Sequence, residues 1–190
     1  MDDYPWRART GRLDLRAIDM IDLDDVFEMN SDPRVWTHFP SGVHTSREQT
    51  TAHIAVEAAG WERYGLGYWT ARLRDGGFAG AGGCSLKKDR VWNLYYRFRP
   101  ELQGQGLASE LVAAAQEAAR AVRPELPVVA LLLEHNKASK ALAEKAGMRL
   151  VWRGPDHGNP DPHAVRLVYA DRDVTPEFLD HLLGNQSAGR

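Results

Sequence analysis

Gln103-Gly104-Gln105-Gly106-Leu107-Ala108 lies between a strand-like run, Val91 to Arg99, and a helix-like run, Leu107 to Val122. Glycines let a backbone approach an anion closely, and the first N–H groups of a helix have no partners within it. The helix dipole adds a positive end, so a glycine turn opening a helix is a seat for phosphate. Gly104-x-Gly106-x-x-Ser109 also invites a dinucleotide-fold reading. The run before it is preceded by closely joined, hence antiparallel, strands, and the third glycine is missing, so that reading fails on topology.

Outward from this loop the pattern alternates between strand and helix. Tyr68 to Leu73, Phe78 to Leu86 and Val91 to Phe98 read as three strands separated by the turn-like Asp75-Gly76-Gly77 and Lys87-Lys88-Asp89. Leu107, Leu111, Val112, Ala115, Ala118, Ala119 and Val122 form one helical stripe, closed by Pro124 and Pro127. Val128 to Leu133 is a continuous apolar run, expected as a strand buried on both faces and parallel to the one before the helix. Lys137 to Ala146 reads as a helix stopped at Gly147, and Met148 to Arg153 and Val165 to Ala170 as two further strands around a loop from Gly154 to His163. Toward the N-terminus, Leu13 and Leu15 suggest a short strand. Leu23, Val26 and Phe27 share a helix face ended by Asp32-Pro33. Ser46-x-x-Gln49 resembles a capping box for a helix ending near Gly60. Thr175-Pro176-Glu177 opens a last short helix. The fold class is therefore α/β, a mixed sheet with helices. The expected division is an arm over 1–10, one domain over 11–183 and a tail over 184–190.

The chain has 190 residues, 43% of them apolar, with six tryptophans, which suits a single well-cored domain. Its 24 basic and 26 acidic residues leave a net charge of −2, which gives no general case for a nucleic-acid partner. A single cysteine, Cys84, precludes an intramolecular disulfide, and no Cys/His cluster has metal-ligand spacing, so no metal is expected. Met1 to Met20 has no apolar segment of secretory type, and no run approaches the roughly 20 apolar residues of a membrane span. The expectation is a soluble cytoplasmic protein without a membrane partner.

Two motifs together resemble the GNAT superfamily of N-acetyltransferases. Its phosphate loop, Gln/Arg-x-x-Gly-x-Gly/Ala, is matched by Gln103, Gly106 and Ala108; its later Asn-x-x-Ser…Glu-Lys-x-Gly pattern is matched by Asn136, Ser139, Glu144, Lys145 and Gly147. Arg12-Leu13-x-Leu15-Arg16, Asp32-Pro33-x-Val35 and Gly67-x-Trp69 resemble the Rim-type ribosomal-protein-alanine branch. The resemblance covers roughly residues 11 to 170. It implies a mixed, twisted sheet with helices on both faces, in which two parallel strands splay apart around the pantetheine arm of acetyl-CoA. It implies that Gln103, Gly104, Gln105, Gly106, Leu107, Ala108 and Ser109 cradle the pyrophosphate, that the Phe98 backbone and Asn136 meet the pantetheine arm, and that Ser139 lies near the thioester sulfur, where its hydroxyl would assist the leaving thiolate. Members often carry a tyrosine acid near this helix; Ala143 stands at that position here. Asn136 and Ser139 also fit plain helix capping.

The implied reaction is transfer of an acetyl group to a primary amine, either a protein N-terminus or a small molecule, by direct attack in a ternary complex. The alternative is a non-catalytic acyl-CoA-binding sensor or scaffold, and a weaker rival is a nucleotide-binding protein. The base is open among Glu134, His135, His38, His44, His157 and His163, with water a further option. Arg97 and Arg99 fit either an acidic acceptor or the cofactor phosphates. Cys84, Trp61, Trp69 and Trp92 fit the core. The superfamily's habit of pairing through late strands leaves a homodimer open.

Overall fold

The computed structural model describes residues 6–184; the expected tail, apart from Gly184, lies outside them. Eight strands form one mixed sheet: β1 (Arg7–Arg9), β2 (Leu13–Ala17), β3 (Tyr68–Leu73), β4 (Phe78–Lys87), β5 (Val91–Phe98), β6 (Val128–Leu133), β7 (Arg149–Pro155) and β8 (Val165–Ala170), in the order β1-β2-β3-β4-β5-β6-β8-β7. Five helices pack with it: α1 (Leu23–Ser31), α2 (Arg47–Tyr64), α3 (Leu107–Val122), α4 (Lys137–Lys145) and α5 (Pro176–Leu183). The α/β reading holds element by element. Within the segment expected to be an arm, β1 pairs antiparallel with β2, Ala8 opposite Leu15.

The second helix runs past its expected stop. Gly60 is an interior position, and the helix ends at Gly65, whose left-handed backbone (φ 73°) donates its N–H to the Trp61 carbonyl. The gain is the last turn carrying Trp61, a ring wholly buried against Trp69 (centroids 5.6 Å apart) with its indole N–H donated to the Tyr68 carbonyl at 2.7 Å. Burial of a ring this size outweighs the roughly 1 kcal/mol cost of an interior glycine. The capping box is also only partial: Ser46 makes no side-chain cap, and Gln49 Oε1 instead accepts from the Thr45 N–H at 2.7 Å.

Strands β3 to β5 form an antiparallel meander, as their short turns require, and β2 pairs antiparallel with β3 across the segment that carries α1 and α2. Alternation on β5 sends Trp92, Leu94 and Phe98 into the main core with the buried stripe of α3, Leu111, Val112, Ala115, Ala118 and Ala119. Tyr95 faces a second cluster built from Val26, Met29, Trp36 and Ile54. Gly82 on β4 is the close-approach point: a Cβ there would lie 2.5 Å from the Tyr95 carbonyl oxygen and 3.0 Å from Leu111 Cδ2. Cys84 is fully buried in the main core, and burial pushes its thiol pKa well up, so it packs as a small apolar group. No helix among the described residues is long and apolar enough to cross a membrane.

Among the described residues two carboxylates are buried on the α2 side of the sheet. Asp22, fully enclosed, takes two hydrogen bonds from Arg16 (2.7 and 2.8 Å) and one from the Asp19 N–H (3.1 Å), pinning the turn before α1 to β2. Glu57 on α2, 4% exposed, has among the described residues only the distant Lys87 ammonium at 3.9 Å. Burial pushes its pKa up to about 7, against the pull of Lys87.

An unfolded glutamate ionises near 4.5, so between there and about pH 7 the unfolded chain releases this proton first and the folded state loses stability as pH rises. Glu57→Gln removes that loss. Chemical denaturation across pH 4.5 to 8 is expected to show the variant gaining on wild type with rising pH, by on the order of 3 kcal/mol at the upper end. A pH-independent difference would show that Glu57 ionises normally in the fold.

Candidate active site

Parallel strands β5 and β6 register only at Trp92 with Val128 and Asn93 with Val129. Beyond these pairs both strands continue, β5 to Phe98 and β6 to Leu133, without pairing to each other. Trp92 donates its N–H across the junction to the Pro127 carbonyl. By strand alternation the N–H and C=O groups of Tyr96 and Phe98 also point into the gap. Side chains meet two of these carbonyls: Arg97 Nη1 donates to Tyr96 O at 3.1 Å and Gln103 Nε2 to Phe98 O at 3.0 Å.

The gap opens into a cavity of about 600 Å³. Its floor is the glycine loop. Gly104 and Gly106 both adopt left-handed backbone (φ 75° and 81°), and Gly106 is the N-cap of α3. A Cβ at Gly104 would meet nothing, so the loop's conformation, not crowding, calls for glycine there. Gln103, Gly104, Gly106, Leu107, Ala108 and Ser109 line the cavity; Gln105 does not, and its side chain donates to the Glu101 carbonyl. Residues with successive N–H groups turned inward at a helix start form an anion nest.

The opposite wall comes from the start of α4. Asn136 caps it, accepting the Ser139 N–H at 3.1 Å. Ser139 is 8% exposed and lines the cavity, and the Tyr96 phenol reaches across from β5 to its carbonyl oxygen at 3.5 Å. Burial pushes the Tyr96 pKa up, while hydrogen bonding to Ser139 pulls it down. Ala143 is buried beneath this helix, away from the lining.

Of the six base candidates, the structure brings His38 and His135 to the cavity. Glu134 is held by Arg153 through two bonds (2.6 and 3.0 Å), His44 Nδ1 pairs with Thr50 Oγ1 at 2.8 Å, and His157 and His163 are exposed on the loop between β7 and β8. His38 Nε2 lies 3.1 Å from Arg97 Nη2, which can only donate, so this nitrogen accepts. Burial, then the nearby Arg97 and His135, push the His38 pKa down to about 4. His135 Nε2 donates to the His38 carbonyl at 2.8 Å, which leaves Nδ1 with the lone pair when the ring is neutral. The meeting of residues 38, 97 and 135 has no signature in local sequence; only the placement of Arg97 beside Tyr95 on the early-loop face of β5 foreshadows it. Among the described residues no group of three or more His, Cys, Asp or Glu could hold a metal ion.

A parted parallel pair above a glycine-capped helix is the architecture of an acyltransferase, and the sequence agrees. The profile of the acetyltransferase (GNAT) domain matches residues 12–149, most of the chain, which therefore belongs to this family. Similar solved structures include an acetyltransferase from Agrobacterium tumefaciens str. C58, 24% identical, covering 88% of this chain and 94% of that one with a TM-score of 0.72. RimL, a ribosomal L7/L12 alpha-N-protein acetyltransferase in complex with coenzyme A, is 23% identical over 86% of this chain and 97% of its own, TM-score 0.70. An acetyl transferase from Salmonella typhimurium that modifies the N-terminal serine of ribosomal protein L7/L12 is 21% identical over 87% and 97%, TM-score 0.70. At these identities the likeness is one of fold. No curated protein matches the sequence.

Replacing the Asn136 cap by alanine is expected to cost about 1 kcal/mol, read as a lower urea midpoint with an unchanged slope. Asn136→Ser, which restores a cap oxygen, should recover most of it; equal losses in both variants would mean the side chain does more than cap.

Proposed function

We propose that the protein is an N-acetyltransferase that accepts acetyl-CoA between β5 and β6 and passes the acetyl group directly to a primary amine, with residues 11–183 acting as one domain. The observation that carries this reading is the coincidence of the unpaired β5 edge with the left-handed glycine loop at the head of α3. One offers strand-like hydrogen bonding to an extended amide chain; the other offers an anion seat at the end of the same cavity.

In this assignment the N–H groups of Gly104 to Ala108 hold the pyrophosphate, those of Gln103 and Ser109 being donated to the Pro100 and Gly106 carbonyls. The Phe98 backbone pairs with the pantetheine amides, which requires Gln103 Nε2 to yield its place on the Phe98 carbonyl. Asn136 borders the arm while keeping its cap. Attack by the amine nitrogen on the thioester carbonyl places negative charge on the carbonyl oxygen, and a β5 backbone N–H facing the gap stabilises it. Collapse expels the coenzyme A thiolate, and the Ser139 hydroxyl donates toward it, its backbone steadied by the Tyr96 phenol on the Ser139 carbonyl. The ammonium proton of the acceptor goes to His135 Nδ1. His38 is the poorer base, since its lone pair is engaged by Arg97.

Acetyl-CoA, tested beside ATP and NAD, is expected alone to raise the melting temperature, and an amine acceptor to release free thiol from it. A cooperative melt unmoved by acetyl-CoA would remove the reading. His135→Gln is expected to lower kcat/KM about 100-fold with acetyl-CoA affinity retained. An unaltered rate would pass the proton transfer to water.

A further inference from the structure

The two arginines at the end of β5 have different fates. Arg99 is charge-paired: its two terminal nitrogens donate to Glu28 at 3.0 and 2.9 Å, and Asp25 lies 3.8 Å away, although its Nε, like that of Arg97, is buried without a partner. Arg97 is not. Its guanidinium is half-buried, lies 4.4 Å from the ring centre of Trp36 and 5.0 Å from that of Tyr95, and donates only to the Tyr96 carbonyl and to His38. Its Nε is buried without a partner. Among the described residues, none of its contacts is a carboxylate.

A guanidinium keeps its charge at any physiological pH, and holding one away from water without a counter-ion is costly. The planar face is fixed by two aromatic rings, and the fork borders the cavity. Arg34, the other arginine on this rim, is already clasped by Asp32 at 2.6 and 2.9 Å. The face of β5 also matters. Arg97 projects with Tyr95 toward the early loop carrying Trp36 and His38, whereas Phe98 projects under α3 and the glycine loop. Arg97 thus stands on the acceptor's side of the sheet and not at the phosphate seat.

We infer that Arg97 receives a carboxylate of the acceptor, so that the substrate is an amine bearing a carboxylate: a free amino acid, or a chain whose first residue is Asp or Glu. The inference rests on the acetyl-transfer reading and names its substrate class. A fork packed against the Trp36 and Tyr95 rings suits bidentate pairing with a planar carboxylate, and the same charge repels polyamines.

The test is thiol release at saturating acetyl-CoA from matched pairs: alanine against alaninamide, and Asp-Ala-Ala-amide against Asn-Ala-Ala-amide, with spermidine as a cationic acceptor. One carboxylate member is expected to exceed its amide partner by about tenfold or more in kcat/KM, as a charge-assisted pair provides. Which pair shows the preference identifies the source of the carboxylate. Arg97→Gln should abolish the preference, bringing the kcat/KM of the carboxylate member down to that of its amide partner; the ratio within each pair, and not either absolute rate, is the readout. Arg97→Lys, a variant that keeps the packing and charge but loses the fork, should retain part of it. A merely structural arginine would move both members together, and that result overturns the inference. So does a preference that survives Arg97→Gln, or spermidine as the best acceptor; acetyl transfer itself stands in either case. Absence of thiol release from every acceptor removes both readings.

Discussion

The parting of β5 from β6 after two registered pairs is the constraint on which the rest of the molecule depends. Strands leave one another only if their freed backbone groups find other partners. Here the carbonyls are met by side chains from nearby residues, Arg97 and Gln103, and the opening is kept apart by helices rooted on either side. Helix α3 is seated low over β4 and β5 because Gly82 has no side chain and its own stripe narrows to alanines. Helix α4 begins where β6 ends, with Asn136 closing its first turn. Each wall is thus fixed by packing, and the space between them is what the fold leaves over.

Charge is distributed unevenly around that space. The buried Asp22 is fully answered by Arg16 and a backbone N–H, and serves to lock the turn before α1. On the same side of the sheet, burial followed by the nearby His44, Lys87 and Arg97 pushes the His53 pKa down to about 4, so this ring is neutral where most histidines begin to charge. Both it and His38 favour the uncharged state, and Arg97 remains the fixed cation of this wall. The cavity accordingly has a neutral hydrogen-bonding flank, one unanswered positive fork and a backbone nest at its far end.

The elements around the glycine loop were legible because each obeyed one period: alternation on β5, a single stripe on α3, an unbroken apolar run for the doubly covered β6. The helix stop was misplaced at Gly60 since sequence weighs an interior glycine without seeing Trp61 beyond it, whose ring needs another turn to reach Trp69. Arg7–Arg9 gave no signal because a polar edge strand has no apolar face to alternate. At the site, spacing revealed the loop and the Asn136 cap, both local devices. The junction of His38, Arg97 and His135 joins three distant segments, and the phenol of Tyr96 opposite Ser139 depends on how far two strands diverge; neither quantity is written in a local pattern.

The slender junction of β5 with β6 also bears on how the chain assembles. Strands β1 to β5 neighbour one another in sequence order, while β6, β8 and β7 form a second group joined to them by two registered positions and the span of α3. Closing that seam brings together Trp92 and Val128 across an intervening helix, as closing β2 on β3 spans α1 and α2, whereas the β1–β2, β3–β4 and β4–β5 hairpins close over a few residues at a smaller entropic cost. The sheet is thus two strand groups hydrogen-bonded along one short line, and it is the core shared by Trp92, Val128, Ala130 and Tyr169 with α3, not the strand ladder, that holds them together at the apex of the cleft.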